Sequence, residues 1–246
     1  MDGLGVKGAF MFNYVEDKEY LSRVRSVCGE IMQDFCHTLK EDYDIGSTFY
    51  LVGSGAKNLI VQNASQPIDL DYNLEVVRCE DFEDCRTLKE CARKALNKAL
   101  SMNGWGDCED STSSLTTERR HFTQGNQTLF SIDVCIVVTD AQDRMYRLIH
   151  EKTGFSYNDR YYWNQAPHSA GIRKKVDFIK RKGKWNLVRE QYLRLKNKYL
   201  TSNDYNHPSF ICYIEAVNNV YKSRMSWKKA IRLYEIVTII GDDFLL

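Results

Sequence analysis

Two aspartates, Asp69 and Asp71, lie in the run Ile68-Asp69-Leu70-Asp71-Tyr72-Asn73-Leu74-Glu75, where apolar and polar residues alternate without a break. A period of two is that of a β-strand whose two faces meet different surroundings, so both carboxylates leave the chain on one face. At a rise of about 3.3 Å per residue their α-carbons are roughly 6.6 Å apart. Carboxylates so placed suit hard divalent cations, magnesium or manganese. Two such ions held about 3.5–4 Å apart steady the attacking and leaving oxygens of a phosphoryl displacement. A third carboxylate, Asp133, interrupts the apolar run Leu129-Phe130-Ser131-Ile132-Asp133-Val134-Cys135-Ile136-Val137-Val138. A charge inside a buried strand is costly unless paired or metal-bound, so Asp133 is the expected third ligand, presented from a neighbouring strand.

Upstream, Thr48-Phe49-Tyr50-Leu51-Val52 reads as a buried strand stopped by Gly53-Ser54-Gly55. Glycine permits a tight turn there. Backbone amides and the Ser54 hydroxyl then offer a cradle for an anionic phosphate, and Lys57 adds a positive charge nearby. Each signal is common alone; their order carries the reading. The competing structural account places Asp69 and Asp71 on the solvent face of an edge strand, pairs Asp133 with a buried arginine and leaves Gly53-Ser54 as a plain turn.

Several elements must position these residues. Residues 18–42 carry apolar side chains at three- and four-residue spacing and read as an amphipathic helix. Residues 56–62 suggest a short helix, 68–77 a strand, 82–102 a helix begun by the acidic cluster Glu80-Asp81-Glu83-Asp84, and 128–138 a strand. That order predicts an α+β fold, a mixed β-sheet covered by helices. From about Gly171 the pattern turns helical, with a stripe at Val188, Tyr192, Leu195 and Tyr199 and stretches at 210–221 and 227–240. A catalytic domain over 1–168 and a C-terminal helical lobe over 169–246 are expected, joined near Asn164–Ala170, where Pro167 interrupts the pattern.

The 246 residues, 43% hydrophobic and 12% aromatic, suffice for a substantial core, and a net charge of +1 gives no global pull toward nucleic acid or an anionic membrane. No apolar run approaches the roughly 18–20 residues of a membrane span, and Met1-Asp2-Gly3-Leu4-Gly5 lacks the parts of a signal peptide, so no membrane association and a cytoplasmic location are expected. The eight cysteines are read as free thiols: Cys79, Cys85 and Cys91 match no zinc spacing, and His207 with Cys212 is an isolated pair.

Taken together, Gly53-Ser54, Ile68-Asp69-Leu70-Asp71 and Ile132-Asp133-Val134 resemble the polymerase-β-like nucleotidyltransferase superfamily, whose pattern is a G-S turn, then h-D-h-D, then a later h-D-h. The match spans residues 48–138. The resemblance implies a central mixed sheet, a helical C-terminal lobe, and transfer of a nucleoside monophosphate from a nucleoside triphosphate to a hydroxyl, releasing pyrophosphate. The long stretch between Asp71 and Asp133 looks more like oligoadenylate synthases and bacterial cyclic-oligonucleotide synthases (CD-NTases) than the compact antibiotic-modifying enzymes. The string from Gly53 to Asn58 is similar to the G-S-x-x-R-G of small-molecule nucleotidyltransferases, with Lys57 for arginine and Asn58 for glycine. The animal cyclic GMP-AMP synthase carries a zinc insert with adjacent cysteines that is not present here, so its DNA sensing is not carried over. By resemblance, Asp69 and Asp71 bind two Mg2+ or Mn2+ ions and the triphosphate, Asp133 binds the metal that activates the acceptor hydroxyl and serves as its general base, and Ser54 holds the β and γ phosphates.

Other features stay open. Between Arg173 and Lys198 cations far outnumber Asp177 and Glu190, which suits the triphosphate, an RNA or oligonucleotide groove with Trp185 as a stacking surface, or simply a solvated helix face. Tyr161-Tyr162-Trp163 read as core aromatics before a base-stacking platform. His121, His150 and His168 show no partner and are read as structural or surface residues. Beside an active transferase, acting on an RNA, oligonucleotide or small-molecule acceptor, stand a catalytically silent nucleotide-binding sensor and a protein-modifying adenylyltransferase.

Overall fold

The computed structural model describes residues 11–53, 59–63, 66–201 and 209–223. Helix α1 (Lys18–Tyr43) starts where the Asp17 carboxylate accepts from the Tyr20 amide at 2.9 Å, and it buries the stripe Tyr20, Leu21, Val24, Cys28, Ile31, Met32, Phe35 and Leu39. Helix α2 (Cys85–Met102) starts in the same way. Asp84, the last of the acidic cluster, caps the Thr87 amide at 3.0 Å.

The sheet is organised by its longest strand. β4 (Ile68–Arg78) pairs antiparallel with β2 (Gly46–Val52) and parallel with β7 (Phe130–Thr139). A parallel neighbour needs a long crossover, and α2 supplies its helix. Beyond β7 the short strands β5 (Glu109–Asp110) and β6 (Leu115–Thr116) form one branch, while β8 (Met145–Glu151) and β9 (Arg160–Gln165) form another. Among the described residues these seven strands make one mixed sheet, and β1 (Phe12–Tyr14) with β3 (Val61–Asn63) makes a separate pair.

Strand alternation sends two sets of side chains to opposite faces. Ile68, Leu70, Tyr72, Leu74 and Val76 of β4, with Phe130, Ile132, Val134 and Ile136 of β7, pack against α1 and α2 in one core. On the other face Val52, Val137 and Met145 join α3 (Ile172–Arg181), α4 (Trp185–Thr201) and α5 (Ser209–Lys222) in a second core, through Ile172, Val188, Tyr192, Phe210 and Val217. The polar residues of β4 run along that second face.

Several expectations change. Of the expected short helix over 56–62, residues 56–58 lie outside the described residues and Val61–Asn63 is β3: Val61 pairs with Tyr14, so a strand partner rather than local pattern decides it. Between α2 and β7, where no element was expected, Glu109–Asp110 and Leu115–Thr116 form the β5–β6 hairpin, its turn closed by Ser111 N–H to Ser114 O at 2.9 Å. Asn164 and Gln165 end β9 rather than open a linker, and the turn that follows is held by Ala166 N–H to Met145 O at 2.8 Å. Tyr161, Tyr162 and Trp163 stand on β9, paired only to β8 among the described strands. Tyr161 and Trp163 are partly buried and pack against the first core as expected, while Tyr162, 42% exposed, does not. The stretch 227–240 lies outside the described residues. All eight cysteines are free, and among the described residues no helix is long and apolar enough to cross a membrane.

Candidate metal and phosphate site

Parallel pairing of β4 with β7 sets Asp69 opposite Ser131 and Asp71 opposite Asp133. Three carboxylates thus share one face at nearly one level of two central strands. Asp69 is exposed, while Asp71 and Asp133 are half-buried. β4 is flanked on both sides, so the account that puts Asp69 and Asp71 on an edge strand does not hold. Nor is Asp133 hydrogen-bonded to an arginine: Thr116 Oγ1 of β6 donates to its Oδ1 at 2.6 Å, and Ser131 Oγ donates to Asp69 Oδ1 at 2.6 Å.

Electrostatics mark the same spot. Burial pushes the Asp133 carboxyl above the usual range, the Thr116 hydrogen bond opposes that, and the Asp69 charge pushes it further up. Two residues along the face, burial raises the Cys135 thiol to about 12, with Asp71 and Asp133 adding to the rise and Arg147 opposing it. Carboxylate oxygens gathered on one face are the donor chemistry of a hard divalent cation, and in donor type the set fits magnesium or manganese. As placed, no three His, Cys, Asp or Glu side chains among the described residues converge closely enough to hold an ion. Ser131 and Thr116 each hold one oxygen of the outer carboxylates.

Gly53 closes the site from β2. Val52 pairs with Asp71, and the next residue turns sharply with φ +56°. A β-carbon on Gly53 would stand 2.7 Å from Asp71 Oδ2 and 3.3 Å from Ser209 Cβ. Glycine is required here for both its dihedral and its space. Gly53→Ala is expected to cost about 1–2 kcal/mol of stability from the left-handed backbone alone, seen in urea unfolding, and to displace Asp71. Ser54 and Lys57 lie outside the described residues.

The structure adds Ser209, which the sequence did not single out, and draws Lys196 from the basic segment to it. Ser209, first residue of α5, meets Gly53, and Lys196 Nζ of α4 donates to Ser209 Oγ at 3.1 Å while lying 4.7 Å from the Phe12 ring centroid. The fully buried Tyr192, one turn before Lys196, has its phenol pushed well above the ordinary range by burial and then by the Asp71 charge. A serine and a lysine from the helical half therefore arrive beside the glycine turn. Their sequence signal is weak, since only tertiary packing brings Ser209 to a residue 156 positions earlier.

The basic segment does not act as one stripe. Arg173 pairs with Glu75 and donates to the Tyr50 hydroxyl at 3.0 Å, Lys175 donates to Asn218 Oδ1 at 2.7 Å, Lys180 lies 5.1 Å from the Trp185 ring centroid, and Arg189 4.3 Å from that of Tyr14. These cations tie helices to sheet and to aromatic rings. His150 is not a surface residue: it is buried between Asp110 and Asp159. His121 is exposed, and His168 has φ +56° in the turn before α3.

The mixed sheet and its two helical layers form a nucleotidyltransferase fold of the CD-NTase kind. The chain aligns with Vibrio cholerae DncV cyclic AMP-GMP synthase in complex with the linear intermediate 5' pppA(3',5')pG at a TM-score of 0.50 and 12% identity, covering 78% of this chain and 64% of that one. Escherichia coli MS115-1 CdnC with ATP aligns at a TM-score of 0.49 and 16% identity, covering 85% of this chain and 62% of that one. The chain thus spans less than two thirds of the length of either protein. No family model and no curated protein sequence matches it.

Proposed function

We propose that the chain is a metal-dependent nucleotidyltransferase that moves a nucleoside monophosphate from a nucleoside triphosphate to a hydroxyl acceptor, releasing pyrophosphate, with a linear or cyclic oligonucleotide as one product class. The observation that carries this reading is the register of Asp71 against Asp133 under the glycine turn at Gly53. Two Mg2+ or Mn2+ ions, held by Asp69, Asp71 and Asp133, would supply charge neutralisation on the triphosphate and activation of the acceptor hydroxyl. The chain's own residues do the positioning. Gly53 lets the chain turn closely past the Asp71 carboxylate. Ser54 and Lys57 from the turn, with Ser209 and Lys196 from the helices, offer hydroxyls and positive charge to the β and γ phosphates. Asp133, disposed toward the protonated form, accepts the proton of the acceptor hydroxyl.

A cleft of about 920 Å3 offers the acceptor a berth between the β8–β9 end of the sheet and α4–α5, with Arg147, Tyr199 and Ile214 in its wall. Arg147 links it to the site, because its guanidinium lies 5.8 Å from the centroid of the Phe210 ring, next to Ser209, and acts on Cys135 beside Asp133. RNA, oligonucleotide and small-molecule hydroxyls all fit this chemistry, and free thiols are in keeping with a cytoplasmic reaction.

One observation favours a second reading, a nucleotide-binding sensor without turnover: Ser131 and Thr116 engage one oxygen of two of the three carboxylates. Incubating the purified protein with the four labelled nucleoside triphosphates and Mg2+ or Mn2+, followed by chromatography, separates the two. Under the transferase reading pyrophosphate and a new nucleotide product appear. Tight triphosphate binding by calorimetry with no pyrophosphate, under any acceptor tried, would favour the sensor.

A further inference from the structure

We propose that the β5–β6 hairpin is a positioning device for Asp133, with Thr116 as the positioning residue. This deepens the transferase reading and rests on Asp133 being a metal ligand. Thr116 pairs in register with Asp133, and its hydroxyl donates its one proton to Asp133 Oδ1 at 2.6 Å. A hydroxyl spent in this way fixes the plane of the carboxylate, so that Oδ2 is the oxygen that would serve a cation. Hydrogen bonds of this kind behind a ligand orient it and raise its affinity for metal.

A hairpin of two two-residue strands does not hold itself in place. Here it is bolted at both ends. On the β7 side, Thr117 N–H donates to Ile132 O at 2.9 Å, Thr117 Oγ1 accepts from Ile132 N–H at 2.9 Å, and Leu115 is fully buried. On the far side Asp110 enters a buried cluster. Lys89 of α2 sits 2.9 Å from its Oδ1 and donates to Ser111 O at 2.9 Å. His150 of β8 lies 2.7 Å from its other oxygen and 3.0 Å from Asp159. The His150 amide donates to Thr112 O at 2.8 Å. Three elements, β7, α2 and β8, thus converge on the hairpin, and the place where their rigidity is delivered is the Thr116 hydroxyl. A loose surface hairpin needs no buried lysine and no buried histidine. A hairpin that sets a ligand within a few tenths of an ångström does.

The test compares Thr116→Val, Thr116→Ser and Asp133→Asn by Mn2+ titration followed by electron paramagnetic resonance, with kcat and KM from the pyrophosphate assay. Thr116→Val is expected to weaken Mn2+ binding about 10- to 100-fold and to lower kcat while leaving the triphosphate KM within about twofold. Thr116→Ser keeps the donor and is expected to restore native binding, which separates a lost hydrogen bond from lost packing. Native Mn2+ affinity in Thr116→Val, together with loss of affinity in Asp133→Asn, overturns the positioning role alone. Native affinity in Asp133→Asn overturns the metal-ligand reading beneath it. Should Thr116→Val fail to fold, a Thr116→Ser chain with weakened Mn2+ binding equally overturns the proposal, because the donor is then present without effect.

Discussion

With Asp69 and Asp71 both replaced by asparagine, nucleotidyl transfer is expected to fall by at least about 10³-fold, while the melting temperature in the absence of divalent ions stays level or rises. Asparagine keeps the shape and the acceptor that Ser131 requires at residue 69, so the sheet is not cut. Two negative charges disappear from a face where Asp133 is already held toward its protonated form, first by burial and then by the Asp69 charge. Relief of such crowding is expected to stabilise by about 0.5–2 kcal/mol, the usual scale on which a strained site trades stability for activity. Adding Mn2+ is expected to reverse the order of stabilities: the native chain would gain about 2.7 kcal/mol at a hundred times its dissociation constant, and the double variant nothing. For a chain of this size each kilocalorie moves the midpoint by about 2–4 °C, so scanning calorimetry with and without Mn2+ resolves the crossing. A double variant that still turns over, or whose midpoint rises with Mn2+ as the native one does, would remove the aspartates from the site.

The aspartate face was legible in the sequence because period two is a local property. Ile68, Leu70 and Tyr72 had to go one way, Asp69 and Asp71 the other, whatever the neighbours. Helices α1 and α2 were legible within a few residues for the same reason, and Asp84 was placed at the start of α2 by its cap chemistry. What the sequence does not carry is pairing. That Asp71 faces Asp133, or that Gly53 packs against Ser209, depends on register and on helices brought back onto the sheet from far along the chain. Three-residue β3 is defined by Phe12–Tyr14, not by its own pattern, so it read as helix. β8 and β9 have no clean alternation. The same gap hid the partners of His150, which lie 40 residues before it and nine after it. The basic segment misled in the opposite sense: eleven cations look like a field, but several are spent on Glu75, Asn218 and aromatic rings.

Asp110→Ala is expected to be the most destabilising of the single changes considered, at about 3–5 kcal/mol, because it strands the buried Lys89 charge. Lys89 is 2% exposed, and its ammonium is held below the usual lysine range by burial, with Asp110 working against that shift. Removing Asp110 leaves burial unopposed, so the folded-state value falls further while the unfolded value stays at about 10.4. The sign follows: a lysine whose folded value lies below its unfolded value makes the unfolded state bind more protons across the window between them, so stability rises with pH through that window. Asp110→Ala is therefore expected to recover part of its loss as pH rises toward about 10, a recovery larger than any the native chain shows. His150 contributes in the same direction to the loss, since it keeps Asp159 but loses the carboxylate on its other nitrogen. Lys89→Met in the Asp110→Ala background restores stability if the stranded charge is the cause, and a double-mutant cycle in urea gives the coupling directly. Against a total of about 5–15 kcal/mol for a folded domain, 3–5 kcal/mol is a large fraction, so an unfolding midpoint equal to the native one would mean that the cluster contributes nothing net. The hairpin would then be held by its backbone ladder and the Thr117 bonds alone.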